Sequence, residues 1–523
     1  MELENYSDIE KAALRSRREI LRLGIGLLFV VGTMIYAALG VGLQGPGGIM
    51  LVVAAMIGGY MAMNIGANDV ANNVGPAVGS RALSMTGAIV IAAIFEVAGA
   101  LIAGGDVTST IRGGIIDPSA IADSNRFVWV MTAALLAGAL WLNIATAVGA
   151  PVSTTHSIVG AVLGAGVAAG GMAAGKWDMV GGIVASWVVS PVLGGLVAAG
   201  FLYWIKRAIT YRSDMVAAAQ RTVPVLMGIM AASFATYLIL KGLNKVWKVD
   251  FGTACAIGLG LGIVTWLLVR AHLRRTAHRL NNSKASINSL FGLPLVFAAA
   301  LLSFAHGAND VANAIGPLAA ITDTVLHGAV STKASVPLWV MMIGAIGIAI
   351  GLALYGPKLI RTVGHEITEL DPMRAFSIAM AAALTVIIAS QLGLPVSSTH
   401  IALGGVFGVG FLREYIKTSY AQTLAEIKSH HQGADKEVVE AFLNDFDKAD
   451  KKGKRAMLDA LKAHTAQAHL SKQERKAIKR THRHELVKRS ALFKIAAAWI
   501  VTVPASALMA AMIYYMIFGI VHA

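Results

Sequence analysis

The chain has 523 residues, of which 56% are hydrophobic and 14% are charged. Soluble domains carry about a quarter charged residues, so this composition excludes an ordinary soluble protein and indicates one that crosses the membrane many times. The formal net charge is +15. Because most lysines and arginines lie between long apolar runs, basic cytoplasmic loops explain this charge, and no nucleic acid is expected as a partner. The single cysteine, Cys255, excludes an intramolecular disulfide and a multi-cysteine metal centre.

Long apolar runs predict about 12 or 13 transmembrane helices, some of them short. The first 22 residues, which carry one lysine and four arginines, are expected in the cytoplasm, ahead of an uncleaved first span at 23–43. The other runs fall near 50–66, 83–104, 128–150, 156–175, 180–206, 223–241, 251–270, 288–305, 336–355, 375–393, 400–413 and 491–520. Counting alternately from the cytoplasm places the basic clusters that follow three of these runs inside, as the positive-inside rule requires. We therefore expect a multi-pass protein of the cell membrane, inner or plasma.

Composition and repeats divide the chain into regions. We predict a cytoplasmic amino-terminal segment at 1–22, a transmembrane region with the first repeat at 23–210, a linking region with two transmembrane helices at 211–287, a second, inverted repeat at 288–413, a cytoplasmic helical insert at 414–490 and a final transmembrane helix at 491–523. The insert is nearly free of glycine and proline. Its basic end, 472–484, can bind anionic lipid or a regulator, but a solvated helix face explains it more simply.

Two motifs occur twice. GANDVANNVGP at 66–76 recurs as GANDVANAIGP at 307–317, a shift of 241 residues, and PVSTTH at 151–156 recurs as PVSSTH at 395–400, a shift of 244. One duplicated unit therefore carries both motifs. In the alternating topology the first Asp-Asn motif ends an inward span and the second ends an outward span, which predicts inverted repeats. Such repeats are typical of transporters that bind substrate at the interface between them.

The predicted fold is therefore all-α, a polytopic membrane protein of about 12 or 13 transmembrane helices with two inverted repeats that contain interrupted or re-entrant helices. The Gly-Pro pairs at 75–76 and 316–317 are expected to end a helix. Pro151 and Pro395 are expected to precede the residues that begin the next one.

The Asp-Asn motifs place hard oxygen ligands at membrane depth. They contain Asn68, Asp69 and Asn72 in the first half and Asn309, Asp310 and Asn313 in the second. An ionised carboxylate inside the membrane needs a cationic partner, and neither motif contains lysine or arginine. This pattern favours a site for a small alkali cation. The alternative is that the amides join helices and that the aspartates stay neutral.

The Ser/Thr motifs stand where a helix is expected to begin. They contain Ser153, Thr154 and Thr155 in the first half and Ser397, Ser398 and Thr399 in the second. Hydroxyl groups and unused backbone N–H groups converge at such a helix end, which carries a partial positive charge and suits a tetrahedral oxyanion. The alternative is an ordinary helix N-cap.

Several ionisable residues accompany the motifs. Glu96 is an intramembrane carboxylate whose aligned position in the second half is Ile348, so it breaks the symmetry. It can serve a further cation site, a proton step or a structural contact. His156 and His400 close the two Ser/Thr motifs and either titrate near neutral pH or act as structural caps. His306 occurs in one half only and receives less weight.

At these residues the sequence resembles the inorganic phosphate transporter (PiT) family, whose signature combines the duplicated GANDVAN-type motif with the P-[VI]-S-[STG]-[TS]-H segment. Segments at 95–100, 110–117 and 185–195 also resemble that family. The resemblance implies cation-coupled import of inorganic phosphate. It assigns the Asp-Asn motifs mainly to sodium and the Ser/Thr motifs mainly to phosphate, and it implies no cofactor beyond the co-transported sodium ions. The intact NDVAN pair and Glu96 resemble the sodium-coupled branch.

The expected partners are inorganic phosphate, sodium or protons, arsenate as a competitor, membrane lipid and, in a homodimer, a second copy of the chain. The alternative function is a proton-coupled symporter of phosphate or of a metal-phosphate complex, in which His156, His400 or Glu96 takes the proton. An intramembrane hydrolase is disfavoured, because its nucleophile and base are needed once whereas these residues come twice, and neither serine lies in a Gly-x-Ser-x-Gly turn. We therefore expect a transporter and not an enzyme.

Overall fold

The computed structural model describes residues 2–41, 45–121, 123–147, 152–242, 247–328, 336–366, 370–429 and 489–522. These residues are almost entirely helical, with one isolated β-bridge between Ile116 and Gly175 and no β-strand among them. Eleven helical stretches in this part of the chain are long and apolar enough to cross a membrane. The prediction of an all-α, multi-span protein is confirmed.

The helices of the described residues follow one another closely. They are α1 (Glu2–Val41), α2 (Gly45–Asn68), α3 (Val70–Gly79), α4 (Met85–Ala103), α5 (Gly105–Gly113), α6 (Ser124–Ala147), α7 (Thr154–Gly170), α8 (Trp177–Ile205), α9 (Met215–Lys241), α10 (Phe251–Thr276), α11 (Lys284–Leu290), α12 (Gly292–Asp310), α13 (Ala312–His327), α14 (Leu338–Glu366), α15 (Pro372–Gln391), α16 (Ser398–Ser429) and α17 (Arg489–His522).

Burial separates a central group of helices from a peripheral one. Helices α12, α13 and α15 are buried along most of their length, and alanines supply much of their packing surface. Helices α1, α10 and α17 expose large apolar side chains such as Leu28, Leu268 and Ile520. Apolar side chains on the outside of a membrane protein face lipid, so the polar chemistry must lie in the central group.

Each Asp-Asn motif lies at a break between two consecutive helices. Helix α2 ends at Asn68 and α3 begins at Val70, while α12 ends at Asp310 and α13 begins at Ala312. Beyond the first break the Asn72 N–H donates to a carbonyl oxygen three residues back, at 3.0 Å, instead of four. The interrupted helices that the sequence predicts are therefore present.

The predicted position of these breaks is wrong. The Gly-Pro pairs at 75–76 and 316–317 do not end a helix, because α3 continues to Gly79 and α13 to His327 with Pro76 and Pro317 inside them. A proline removes only its own N–H donor from a helix. Since both helices are buried along most of their length, tertiary packing holds them together across that missing bond.

Two pairs of helices form hairpins whose tips carry the Ser/Thr motifs. Helices α6 and α7 are joined through 148–153, and α15 and α16 through 392–397. The far ends of the first pair lie together, because a Cβ on Gly170 would be 2.8 Å from the Ala120 carbonyl oxygen. Helix α7 has 17 residues, at the lower limit of about 17 to 25 for a full span. Pro151 lies outside the described residues, whereas Pro395 lies three residues before the start of α16, ahead of the hydroxyl residues as expected.

Matched glycines bring the duplicated halves into backbone contact. A Cβ on Gly66 would lie 1.9 Å from the carbonyl oxygen of Ile348, and one on Gly307 would lie 2.2 Å from that of Glu96. Gly66 and Gly307 occupy the same motif position, and Ile348 aligns with Glu96. Helix α2 therefore crosses α14 as α12 crosses α4. Each crossing joins the two halves, and the inversion of the repeats in the membrane stays a prediction.

The two halves differ in the helices that follow their Asp-Asn motifs. Helices α4 and α5 meet at Gly104, whereas the aligned part of the second half is the single helix α14. Helix α5 packs on α13, where buried Arg112 forms an ion pair with Asp323. Thr110 of α5 also donates to the Gly393 carbonyl oxygen at 2.7 Å, so α5 contacts the second hairpin tip.

The predicted insert at 414–490 lies largely outside the described residues. Helix α16 passes through the expected boundary at 413 and continues to Ser429. Residues 430–488, including the basic end of the insert, are outside the part of the chain that the structure describes.

Candidate functional site

Asp69 joins the hairpin tips of both halves. Its side chain is buried, and Thr154 Oγ1 donates to Oδ2 at 2.5 Å while Thr399 Oγ1 donates to Oδ1 at 3.1 Å. Asn72 Nδ2 donates to the same Thr399 hydroxyl at 2.8 Å. One carboxylate at the break between α2 and α3 is thus bonded to the Ser/Thr motifs at 151–156 and 395–400.

The second half repeats this arrangement. Ser398 Oγ donates to Asp310 Oδ2 at 3.1 Å, as Thr154 does to Asp69. Asn313 Nδ2 lies 3.1 Å from Thr155 Oγ1, as Asn72 Nδ2 lies close to Thr399. The amide of each half therefore bonds to the hydroxyl of the other half, and the predicted residues meet at one place between the repeats.

Two of the predicted hydroxyl residues act as helix N-caps. Ser153 Oγ accepts from the His156 N–H at 3.2 Å, and Ser397 Oγ accepts from the His400 N–H at 3.3 Å. The capping alternative thus describes these two serines. The other four hydroxyl residues lie in the first turn of α7 or α16, beside N–H groups that no preceding helical carbonyl pairs with. Two helix N-termini with buried hydroxyls form a donor-rich environment.

Asn68 and Asn309 fasten the hairpin tips to the broken helices. Asn68 Nδ2 donates to the Val152 carbonyl oxygen at 3.3 Å, and Asn309 Nδ2 donates to the Leu394 carbonyl oxygen at 3.1 Å. Asn309 Oδ1 also accepts from the Val396 N–H at 3.3 Å. Both asparagines thus join one element to another, as the alternative interpretation of the motif describes, and Asn68 Nδ2 also donates to Asp69 Oδ1 at 3.1 Å.

A series of short side-chain contacts connects Glu96 to the site. Fully buried Glu96 accepts from Asn73 Nδ2 at 2.9 Å and lies 2.7 Å from His306 Nδ1. His306 Nε2 lies 2.9 Å from Asp310 Oδ2. Ligand atoms of Asp69, His306 and Asp310 all fall within 4.8 Å of one another. Glu96 is therefore part of the central cluster, which it reaches through His306.

The contact of His306 with Glu96 was not predicted, although the sequence contains a signal for it. Ile65 aligns with His306 and Ile348 aligns with Glu96, so both aligned positions are isoleucine. The crossing of α4 with α12 thus carries both Glu96 and His306, whereas the equivalent crossing of α2 with α14 carries isoleucine at both positions. Since Gly307 lies against Glu96, the two residues had to be close.

His156 and His400 form an aromatic stack behind the hairpin tips. Their rings lie 4.5 Å apart between centroids, and they stack on Trp187 at 3.8 Å and on Trp499 at 3.4 Å. Their four ring nitrogens have no hydrogen-bond partner within the described ranges. It is the backbone N–H of each histidine that takes part in capping, while the rings pack.

The charges of the site call for a bound cation. Asp69, Asp310 and Glu96 are all buried, and His306 is the only basic side chain recorded in an ion pair with any of them in the described part of the chain. Three buried carboxyl groups and one imidazole leave a negative excess when ionised. A bound cation would balance it, and the adjacent hydroxyls and helix N-termini would hold an anion beside that cation.

A helical membrane protein in which two hairpin tips meet two broken helices around a buried polar site belongs to the class of membrane transporters. The sequence profile of the phosphate transporter family matches residues 65–510. The chain belongs to this family, which confirms the resemblance stated from the motifs. It is a multi-pass transporter and not an enzyme.

Similar proteins agree with this membership. A Helicobacter pylori (strain J99) protein named "Putative phosphate permease" is 53% identical over 524 residues, covering 98% of each chain. A Pyrococcus furiosus protein of the same description is 40% identical over 364 residues, covering 70% of this chain and 88% of its own. A solved structure titled "The sodium-dependent phosphate transporter" is similar with a TM-score of 0.72 and 29% identity, covering 90% of this chain and 99% of that one.

Proposed function

We propose that this phosphate transporter is a sodium:phosphate symporter that imports inorganic phosphate. One observation carries the proposal: Asp69 and Asp310 each accept a hydrogen bond from a hydroxyl at a hairpin tip, in a site with an excess of carboxyl groups. This places the ligands that suit a cation directly beside the ligands that suit an oxyanion. The solved structure similar to this chain is titled as sodium-dependent, which supports sodium as the cation.

We assign sodium to the oxygens of the Asp-Asn motifs. They come from Asn68, Asp69, Asn72, Asn309, Asp310 and Asn313. Hard oxygens of carboxylate, amide and backbone carbonyl groups suit a small alkali cation.

We assign phosphate to the hairpin tips. The hydroxyls of Thr154, Thr155, Ser398 and Thr399 and the first N–H groups of α7 and α16 supply donors, while Ser153 and Ser397 hold those helix ends in shape. The described residues of the two tips, 152–156 and 392–400, include no arginine or lysine, so the bound cations neutralise the anion and leave with it.

Coupling follows from the shared hydroxyls. The Thr154 hydroxyl donates to Asp69 in this structure. A sodium ion on that carboxylate takes over the neutralising role, which frees the hydroxyl proton for a phosphate oxygen. Each ligand then raises the affinity for the other by the same factor.

The second candidate is proton-coupled symport of phosphate or of a metal-phosphate complex. The series of contacts from Glu96 through His306 to Asp310, a hydrogen bond and then an ion pair, favours it, because this series connects a carboxyl group outside the duplicated motifs to the site. The aligned positions, Ile65 and Ile348, are both isoleucine, so the series has no equivalent at the crossing of α2 with α14.

Uptake of radiolabelled phosphate into proteoliposomes tests the proposal, with the sodium gradient and the pH gradient varied independently. We expect an inward sodium gradient at fixed pH to accelerate uptake, and Asp310→Asn to abolish that acceleration. Asp178→Asn, the same chemical change at an exposed position, should leave it intact. Acceleration by a pH gradient alone would assign the coupling to protons and refute sodium symport.

A further inference from the structure

A cavity of about 900 Å³ lies beside the end of α3, away from the central site. Its polar lining comes from Ser80, Arg81, Asn288 and Ser289. The Asn288 Oδ1 atom is buried and has no hydrogen-bond partner within the described ranges. Ser80 and Ser289 donate their hydroxyl protons to carbonyl oxygens of their own helices, so Arg81 and Asn288 are the groups left to recognise a ligand.

The cavity opens on the basic face of the protein. Helix α11, which contributes Asn288, begins at Lys284, and this lysine lies within electrostatic range of Lys206 and Arg374. The positive-inside rule places such a face in the cytoplasm. A concave surface under a positive potential concentrates anions, so the cavity is suited to an anionic ligand and not to a cation.

Arg81 adopts a backbone conformation that ordinarily requires glycine. Its φ is +63°, and among the described residues it is the one position other than glycine with a positive φ. It follows Ser80, the C-cap residue of α3, at the position where a left-handed residue closes many helices and glycine is usual. An arginine there costs stability, and such costs concentrate at functional positions.

The equivalent position in the second half is covered by protein. The residues that correspond to Arg81 and Ala82 are Thr322 and Asp323, and both are buried. Helix α5 covers them, with Arg112 paired to Asp323. The described residues of the second half contain no counterpart of α5, because α14 continues as one helix through the aligned segment. The chain after α13 is therefore covered by α5, whereas the chain after α3 lines the cavity.

We propose that this cavity is the cytoplasmic exit of the transporter and that Arg81 with Asn288 forms a second phosphate site there, which receives the anion as it leaves the hairpin tips. This inference rests on the proposed function for the identity of the ligand. A guanidinium group binds two oxygens of a tetrahedral oxyanion at once. The Asn288 carbonyl oxygen needs a donor, which the P–OH group of dihydrogen phosphate supplies and sulfate does not.

The test uses proteoliposomes of the full chain in known orientation and compares the phosphate concentrations that half-saturate transport from the cytoplasmic and the external face. We expect Arg81→Gln to raise the cytoplasmic value about tenfold relative to the external one, because a charge-assisted contact is lost. Arg81→Lys should stay within about threefold, since it keeps the charge. Arg212→Gln, an exposed arginine of the loop after α8 that does not line the cavity, should change neither value.

Arg81→Gly separates charge from backbone strain, since glycine adopts a φ of +63° without cost. We expect it to match Arg81→Gln, and sulfate to compete poorly with phosphate from the cytoplasmic side. A cytoplasmic value unchanged in both variants would overturn the second site. An Arg81 effect that appears only in vesicles containing anionic lipid would also overturn it, by showing a lipid headgroup in the cavity. Failure of the unaltered protein to transport phosphate would instead contradict the proposed function.

Discussion

Removal of the Thr399 hydroxyl tests the contact between the two halves. This hydroxyl accepts from Asn72 at 2.8 Å and donates to Asp69 at 3.1 Å, so Thr399→Val deletes two bonds at nearly constant volume. A hydrogen bond to a charged group contributes about 1.5 to 3 kcal/mol. Loss of the Asp69 bond alone should therefore lower the transport efficiency, maximal rate divided by half-saturating phosphate concentration, by about tenfold to 150-fold.

Two control variants make this result specific. Thr399→Ser retains the hydroxyl and should transport within about threefold of the unaltered protein. Thr385→Val removes a buried hydroxyl that bonds only to the Ala381 carbonyl oxygen of its own helix, at 2.8 Å, and should have little effect. Initial phosphate uptake in proteoliposomes measures all three. A Thr399→Val variant as active as Thr385→Val would refute the assignment of this hydroxyl to the site.

Three further outcomes are expected. Gly307→Ala should lower the thermal unfolding midpoint, because its Cβ would lie 2.2 Å from the Glu96 carbonyl oxygen and overpacking costs about 1 to 3 kcal/mol. Gly260→Ala introduces a Cβ that meets open space and should not lower the midpoint. Equal midpoints for the two variants would contradict the close crossing of α4 with α12. The Ser119 hydroxyl and N–H hold the pKa of Asp117 below its usual range, so their bonds stabilise this loop above that range and are lost as the pH falls through the lowered pKa. The protection factor of the Ser119 amide, which is the intrinsic exchange rate divided by the observed rate at the same pH, should therefore fall in acid, and a protection factor that does not change with pH would contradict this. Arsenate, close to phosphate in shape and charge, should inhibit phosphate uptake competitively, and absence of inhibition would count against a simple oxyanion site.

The meeting of the motifs could be predicted because the sequence contains them twice. When two copies of one unit keep the same internal spacing, their equivalent residues must lie about a common axis, and binding sites of such transporters lie there. The contacts of Thr154 with Asp69 and of Ser398 with Asp310 are a matched pair of this kind.

The exact helix breaks could not be predicted from local preferences. Proline is the strongest helix breaker in a short window, yet Pro76 and Pro317 lie inside helices while the chain turns at Asp69 and Val311. Packing of α3 and α13 against their neighbours outweighs one missing hydrogen bond. The packing of α5 on α13 could not be predicted either, because it depends on a contact between Arg112 and Asp323, which are far apart in sequence.

Equilibrium phosphate binding at increasing sodium concentration tests most directly whether cation and anion sites are linked. We expect the phosphate affinity of the purified protein to rise with sodium, and to become independent of sodium in Asp310→Asn while Asp178→Asn retains the dependence. Calorimetric titration at fixed ionic strength, with potassium replacing sodium, gives this affinity. A phosphate affinity that does not change with sodium in the unaltered protein would contradict sodium:phosphate symport through the paired Asp-Asn and Ser/Thr motifs.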